Sequence, residues 1–530
     1  MKEISIHTRL RVQWFLILFL AGIIFLHAPA LALSLSEKVD QTFKKWNTPN
    51  SPGCAIAVVK DGQIIYEKGY GMADLRHGVP LTPNTVFHFG SNSKQFTAFS
   101  IFLLEEEGWL QLTDDFHQYI PELPDFGKTI TIQHLLDHTS GLRDYLELLA
   151  FAGWNYMDDL ITKDLGFKYT LRQKALNFDP GEQFMYSNTG FMLLAEIVAR
   201  ISGQTFAQFT QERIFTPLGM TNSQFVDNHH VILKNFASSY TPPVEGVYYE
   251  YPVNFASVGE GGLYSTVEDL VKWDQNFYDA TIGSGSILDK MHQKGILNNG
   301  QLSTMSAGLI VTYYKGRRLV YHGGDIAGYH SQIVRFPDEQ FSIITASNTA
   351  EMDSIDLANK SVSIADFYFA NPDSTEIPDF LIHEPSLRGL AGTGEPAFYA
   401  PDLDFASFWN PFRRIPPRKP SGSQPQLSIP QMTAAEAEEY TGRYYSEELD
   451  SFITIAFDGV ENLLFQITRS AYPYMFSVKT VNNNAFVFNE SNLNKGIFLR
   501  NPLGEVTGFR ISSSRVLDLE FRKGEIVTKE

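Results

Sequence analysis

The chain has 530 residues, too many for one hydrophobic core of ordinary size, and so predicts a large domain with at least one smaller companion. Its apolar content of 43% is that of a globular protein, and a formal net charge of -18 argues against nucleic acid or an anionic membrane surface as partner. Cys54 is the single cysteine, which excludes an intrachain disulfide and leaves stability to packing.

At the N-terminus Lys2, Arg9 and Arg11 precede the apolar run VQWFLILFLAGIIFL and then the small-residue pattern Ala30-Leu31-Ala32. Residues 1–32 therefore read as an export signal cut after Ala32, which makes the mature protein periplasmic or secreted. The alternative is an uncleaved anchoring helix, because apolar character persists to Leu35 and the run is nearly long enough to span a bilayer. Contact with a membrane is expected only in that case.

Next, GCAIAVVKDGQIIYEKGYG places two β-branched runs around Asp61-Gly62, a dipeptide suited to the positive φ angles of a tight hairpin. From Ser91 to about Phe277 the pattern is mainly helical, with ITIQHLLDHTSGL, SNTGFMLLAEIVARISG and STVEDLVKWDQNF as the clearest segments. In the second, Phe191, Leu194, Val198 and Ile201 share one face, and Gly203 stands where a helix ends. Alternation returns in LIVTYYKGRRLVYHGG and YHSQIVRFPDEQFSIITASN, followed by a helix over SIDLANKSVSIADFYF. The expected fold is α+β over residues 33–370, one antiparallel sheet built from both ends of the domain with the helical region inserted between. Residues 371–430 are crowded with proline and read as a linker. Short strand-like runs over residues 431–530 predict a small antiparallel β-barrel or sandwich.

Ser-x-x-Lys occurs once, at Ser91 and Lys94, where a buried helix begins. Three-residue spacing on a helix brings both side chains to one face, within reach for proton transfer. The helix start also adds N–H groups and a positive partial charge for a developing oxyanion. The plain alternative is a serine cap beside a solvated lysine. Two further features weigh against it: a single Tyr-x-Asn at Tyr186 and Asn188, and a single His-Gly-Gly from His322 to Gly324.

In this order the three motifs resemble the penicillin-recognising serine hydrolases, a group that includes class C β-lactamases, D,D-carboxypeptidases, D-aminopeptidases and β-lactamase-like esterases. HLLDHTSGL, FDPGEQFMYSNTGFMLL, IFTPLGMTNSQF and GEGGLYSTVEDL extend the likeness over about Asn50 to Phe369. The resemblance implies Ser91 as nucleophile, with Lys94 and Tyr186 sharing the proton transfers. It also implies that Asn188 bonds Lys94 and the carbonyl side of the substrate, and that His322 and Gly324 line a strand edge. The backbone N–H groups of Ser91 and Asp325 would form the oxyanion hole. His138, in DHTSG, looks like framework of that family. No metal or cofactor is implied, and HExxH, G-x-S-x-G and a phosphate-binding glycine loop are absent from the sequence.

Lysine and tyrosine both titrate near 10, so a base at pH 7 needs a shift of about three units, roughly 4 kcal/mol. Burial of Lys94 supplies one route, and a charged Lys94 stabilising a Tyr186 phenolate supplies another; the sequence leaves both open. The histidine in the third motif bears on substrate. At its ordinary pKa it is only about a quarter protonated at pH 7, whereas a hydrogen bond to a charged group is worth about 1.5 to 3 kcal/mol. Weak carboxylate recognition follows. Together with a C-terminal barrel, His-x-Gly resembles the D-aminopeptidase branch and some esterases. The expected activity is thus a peptidase or esterase on D-amino-acid or small acyl substrates, with a small molecule or peptide as partner. A class C-type β-lactamase and a non-hydrolytic penicillin-binding or peptidoglycan-binding protein are the alternatives. Oligomeric state is not legible.

Overall fold

The computed structural model describes residues 33–154, 159–303, 305–369, 433–459, 462–467, 474–480, 484–488 and 495–524. The export signal read at 1–32 and the linker read at 371–430 lie outside the described residues.

Helix α1 (Leu35–Thr42) opens on a capping box between Ser34 and Glu37. It is followed by β1 (Cys54–Lys60) and β2 (Gln63–Tyr70). Asp61 and Gly62 between them have φ of 49° and 75°, the left-handed pair that a two-residue hairpin turn requires. The inserted helices include α2 (Ser93–Glu106), α3 (Ile132–Leu136), α4 (Tyr145–Phe151), α5 (Asn188–Ser202) and α6 (Val267–Asp279). Helix α5 stops at Gly203, whose φ of 70° closes it in the left-handed conformation. The chain then returns to the sheet through β3 (Met305–Ser306), β4 (Leu309–Tyr314), β5 (Arg317–Ile326), β6 (Tyr329–Phe336) and β7 (Phe341–Ser347), and ends this unit with α7 (Ser354–Phe369).

These strands make one seven-stranded antiparallel sheet in the order β3-β4-β5-β6-β7-β1-β2. Strand β1 pairs with β7 from Cys54 opposite Ser347 to Lys60 opposite Phe341, so the two ends of the unit meet inside the sheet. β1 is buried on both faces from Cys54 to Val59, which is why that stretch is apolar throughout rather than alternating. Cys54, Ile56 and Val58 join α1 and α7 in one core, while Ala55, Ala57 and Val59 face the helical region.

Strand β5 outruns its neighbour. It pairs with β4 only over Arg317–Tyr321 but with β6 over Val320–Ile326, so His322–Ile326 is strand-paired on one side alone. The turn at Gly90–Asn92 packs against this stretch.

The C-terminal strands are β8 (Gly442–Ser446), β9 (Ser451–Phe457), β10 (Leu463–Ile467), β11 (Tyr474–Thr480), β12 (Ala485–Phe488), β13 (Lys495–Arg500), β14 (Val506–Ser512) and β15 (Leu519–Lys523). They form a closed barrel, sealed where Tyr444 on β8 pairs with Lys523 on β15. Of the two architectures the sequence left open, the barrel is the one found. Its interior is a phenylalanine cluster of Phe465, Phe486, Phe498, Phe509 and Phe521. The buried apolar cluster runs on from the helical region into this barrel without a break.

Candidate active site

Ser91 is not on the α2 helix proper but in the one-turn 3-10 helix Gly90–Asn92 that precedes it. Gly90 has φ of 51°, and a Cβ there would lie 2.7 Å from the amide nitrogen of Asp325. A Cβ on Gly324 would strike the Phe89 carbonyl oxygen at 2.0 Å. The two glycines therefore let the Ser91 turn and the one-sided stretch of β5 touch backbone to backbone.

Lys94 lies one turn on, with its side chain fully buried. Its ammonium donates to Ser91 Oγ at 3.0 Å, to Asn188 Oδ1 at 2.9 Å and to the Glu260 carbonyl at 2.7 Å. Each of these three acceptors is a neutral group. The loop that supplies the Glu260 carbonyl is clamped onto α2, where Thr97 donates to Gly259 O at 2.8 Å and Leu263 N donates to Ser93 Oγ at 3.1 Å. Burial pushes the Glu260 carboxyl up to about 7, against hydrogen bonds from Ser257 and Tyr145.

Asn188 is the first residue of α5, and its N–H donates to Asp144 Oδ2 at 2.6 Å. Asp144 also caps α4 through Leu146 N and Glu147 N, so one carboxylate aligns two helix starts. Tyr186 is 3% exposed, with the Lys94 nitrogen 4.7 Å from its ring centroid. His138 stacks on the same ring at 4.5 Å, and His322 stands 6.3 Å away.

Both imidazoles are neutral. Burial, reinforced by the positive Lys94, drives His322 down to about 3 and His138 well below its ordinary value. Asp325 turns its carboxylate away, to His330 Nδ1 and to both the backbone N–H and hydroxyl of Ser354. That leaves its backbone as the part beside Ser91. Among the described residues no cluster of His, Cys, Asp and Glu is arranged to hold a metal ion.

Every residue the sequence nominated is therefore gathered around the Ser91 turn or the adjacent half of β5. Others arrive unannounced. The Glu260 carbonyl and Asp144 carry no motif, although Glu260 is the lone acid of a glycine-rich segment. His138, read as framework, is a left-handed residue with φ of 58° whose Nδ1 accepts from Ser187 N at 3.0 Å. It supports the Tyr186 segment directly.

The barrel contributes as well. Between β14 and β15 the turn Ser513-Ser514-Arg515 is held by Glu147 of α4, whose carboxylate accepts from both serine hydroxyls and from Arg515 N at 3.1 Å. Asn177 donates to Arg515 O at 2.9 Å, and the buried Arg143 pairs with Glu448 of the barrel. Burial raises Glu147 to about 7 although Arg515 opposes it. Arg515 is 4% exposed and sets its guanidinium carbon 4.7 Å from the Tyr186 ring centroid.

A serine bonded to a buried lysine, beside a tyrosine and a half-open strand edge, is a constellation suited to a serine hydrolase. Residues 39–364 match the family model described as Beta-lactamase, and the chain belongs to that family. A penicillin-binding protein of Bacillus subtilis is 32% identical over 311 residues, covering 56% of this chain and 68% of that protein. A D-aminopeptidase of Brucella anthropi is 29% identical over 316 residues, or 59% of each chain. The chain thus spans about three fifths of the D-aminopeptidases it matches. In fold it is similar to the octameric penicillin-binding protein homologue from Pyrococcus abyssi, with TM-score 0.57, 22% identity, and coverage of 92% of this chain and 99% of that one. It is also similar to the D-amino acid amidase from Ochrobactrum anthropi SV3, with TM-score 0.53, 21% identity, and coverage of 63% and 99%.

Proposed function

We propose that this protein is an exported serine hydrolase that forms an acyl-enzyme on Ser91 and acts as a peptidase or esterase on D-amino-acid or small acyl substrates. The observation that carries the reading is the hydrogen bond from the fully buried Lys94 to Ser91 Oγ at 3.0 Å. In the proposed cycle Ser91 Oγ bonds to the substrate carbonyl carbon while its proton passes to the Tyr186 oxygen, with Lys94 balancing the charge. The carbonyl electron pair moves onto oxygen, where the N–H groups of Ser91 and Asp325 receive it. Collapse of this intermediate expels the amine or alcohol, which takes the proton back from Tyr186. Water then cleaves the acyl-serine by the same steps in reverse.

The neutral His322 supports ranking peptidase or esterase activity above β-lactamase activity, because the third motif's own side chain brings no charge to meet a β-lactam carboxylate. Likeness to a D-aminopeptidase over the catalytic stretch supports the D-amino-acid class. The residue pattern over 1–32 supports export.

The test is labelling with a fluorophosphonate and location of the mass increment, followed by rates on nitrophenyl esters, D-alanine anilides and a chromogenic cephalosporin, with Ser91→Ala as blank. The adduct is expected on Ser91. Its absence from folded protein would remove Ser91 as nucleophile, and cephalosporin turnover faster than ester or anilide turnover would reverse the substrate ranking. A persistent adduct without product would point instead to the non-hydrolytic binder.

A further inference from the structure

We infer that the C-terminal barrel supplies a working part of the active site: Arg515, through its positive charge, stabilises the phenolate form of Tyr186. This rests on the proposed role of Tyr186 in proton transfer. Among the described residues, ionisable side chains that face the Tyr186 ring are Lys94 from α2, His138 after α3, His322 from β5 and Arg515 from the barrel. The two imidazoles are neutral. Lys94 and Arg515 bring positive charge, each 4.7 Å from the ring centroid. Arg515 thus stands as near the ring as the lysine of the serine motif does.

Its position is not incidental to barrel packing. The turn is fastened on three sides, by the Glu147 carboxylate, by Asn177 and by Asp144 N, which donates to Arg515 O at 3.3 Å. Asp144 is the same residue that fixes the N–H of Asn188, so the barrel turn and the Lys94 partner share an anchor. Among the described residues, Glu147 and Asp144 are acids held against this turn; the Asp144 carboxylate is turned to the N–H of Asn188, and burial raises Glu147 to about 7, so below that pH Glu147 does not offset the guanidinium charge.

Removing a unit charge at this range in a partly buried setting changes an ionisation equilibrium by about one to two pH units. The loss of a cation disfavours the phenolate, so the pH needed to form the base rises. Arg515 acts through Tyr186 and is a positioning residue. The experiment follows the rate of fluorophosphonate labelling of Ser91 against pH in the full chain, for the wild type, Arg515→Gln, Arg515→Met and Arg515→Lys, with circular dichroism as the folding control. The acid limb is expected to move upward by about one to two units in the Gln and Met variants and to return most of the way in the Lys variant. Two neutral replacements of different shape are used so that misfolding of one leaves the other to decide. A limb that stays at the wild-type position in a folded neutral variant overturns the inference even if the plateau rate falls, since a purely structural arginine changes amplitude and not midpoint. Failure of the wild type to label at all would fall on Ser91 instead.

Discussion

Two deeply buried cations in this protein stand in opposite surroundings. Arg335 on β6 is 1% exposed, and its Nε lies 2.6 Å from the carboxylate of Asp274 on α6, with the Phe277 ring beneath its guanidinium. Ser342 donates to the same carboxylate oxygen at 2.9 Å. Lys94 is buried as completely, yet it donates to a hydroxyl, a side-chain amide and a peptide carbonyl, and the Glu260 carboxyl that feels its charge is itself pushed up to about 7 by burial. A charge matched by a carboxylate braces the sheet against a helix and is held there. A charge divided among neutral oxygens is ready to favour whichever of them turns negative, and Ser91 Oγ is one of the three. Electrostatic strength alone does not distinguish a structural cation from a reactive one; the charge of its acceptors does.

Breaking the comparison at Lys94 has the largest expected effect. Lys94→Met should lower kcat/KM on a nitrophenyl ester about 10⁴-fold, roughly 5.5 kcal/mol, with native circular dichroism; a loss below about tenfold would take Lys94 out of the chemistry. Asp274→Ala breaks it from the other side, leaving the Arg335 guanidinium buried without its carboxylate. That should cost about 3 to 5 kcal/mol of stability in guanidinium chloride unfolding and leave this variant less stable than Lys94→Met. The reverse order of stabilities would mean that Lys94 is the structural cation.

The smallest effect sharpens the charge state around Tyr186. His322 is driven from 6.5 to about 3, chiefly by burial, so between those values the unfolded chain binds a proton that the folded chain refuses. Its contribution to stability is therefore full above about 6.5 and declines as pH falls. His322→Gln should flatten this acid-side decline by about 1.4 kcal/mol per pH unit, read from denaturant midpoints taken at successive pH values. An unchanged slope would show that the imidazole is charged in the folded protein.

Much of this was legible in the residues. Asp61-Gly62 announces its hairpin because few other pairs adopt two positive φ angles, and the Ser91 to Lys94 spacing correctly brings both groups together even though Ser91 sits just ahead of the helix. What escaped is carried by groups without a signature. The Glu260 carbonyl that fixes Lys94 is a backbone atom, and any residue would offer it. His138 looked like framework because its turn chemistry is evident in sequence, while its stacking on Tyr186 depends on tertiary packing. Arg515 stands in a serine-rich turn beyond a proline-rich stretch, and nothing local ties it to a tyrosine in the middle of the chain.

The pairing of β1 with β7 also sets an order of events in synthesis. β1 emerges early as half of a hairpin, but one of its edges, and the part of one face covered by α7, are completed only by segments that follow Met305. The central strand thus waits, unpaired on one side, until Phe341–Ser347 is available, a long-range closure of the kind that slows folding. A fragment ending before Phe341 would carry Ser91, Lys94, Tyr186 and His322 and still lack the strand that joins the two halves of the sheet. Possession of all the reactive groups is therefore no measure of a working fragment; the last strand of the sheet decides.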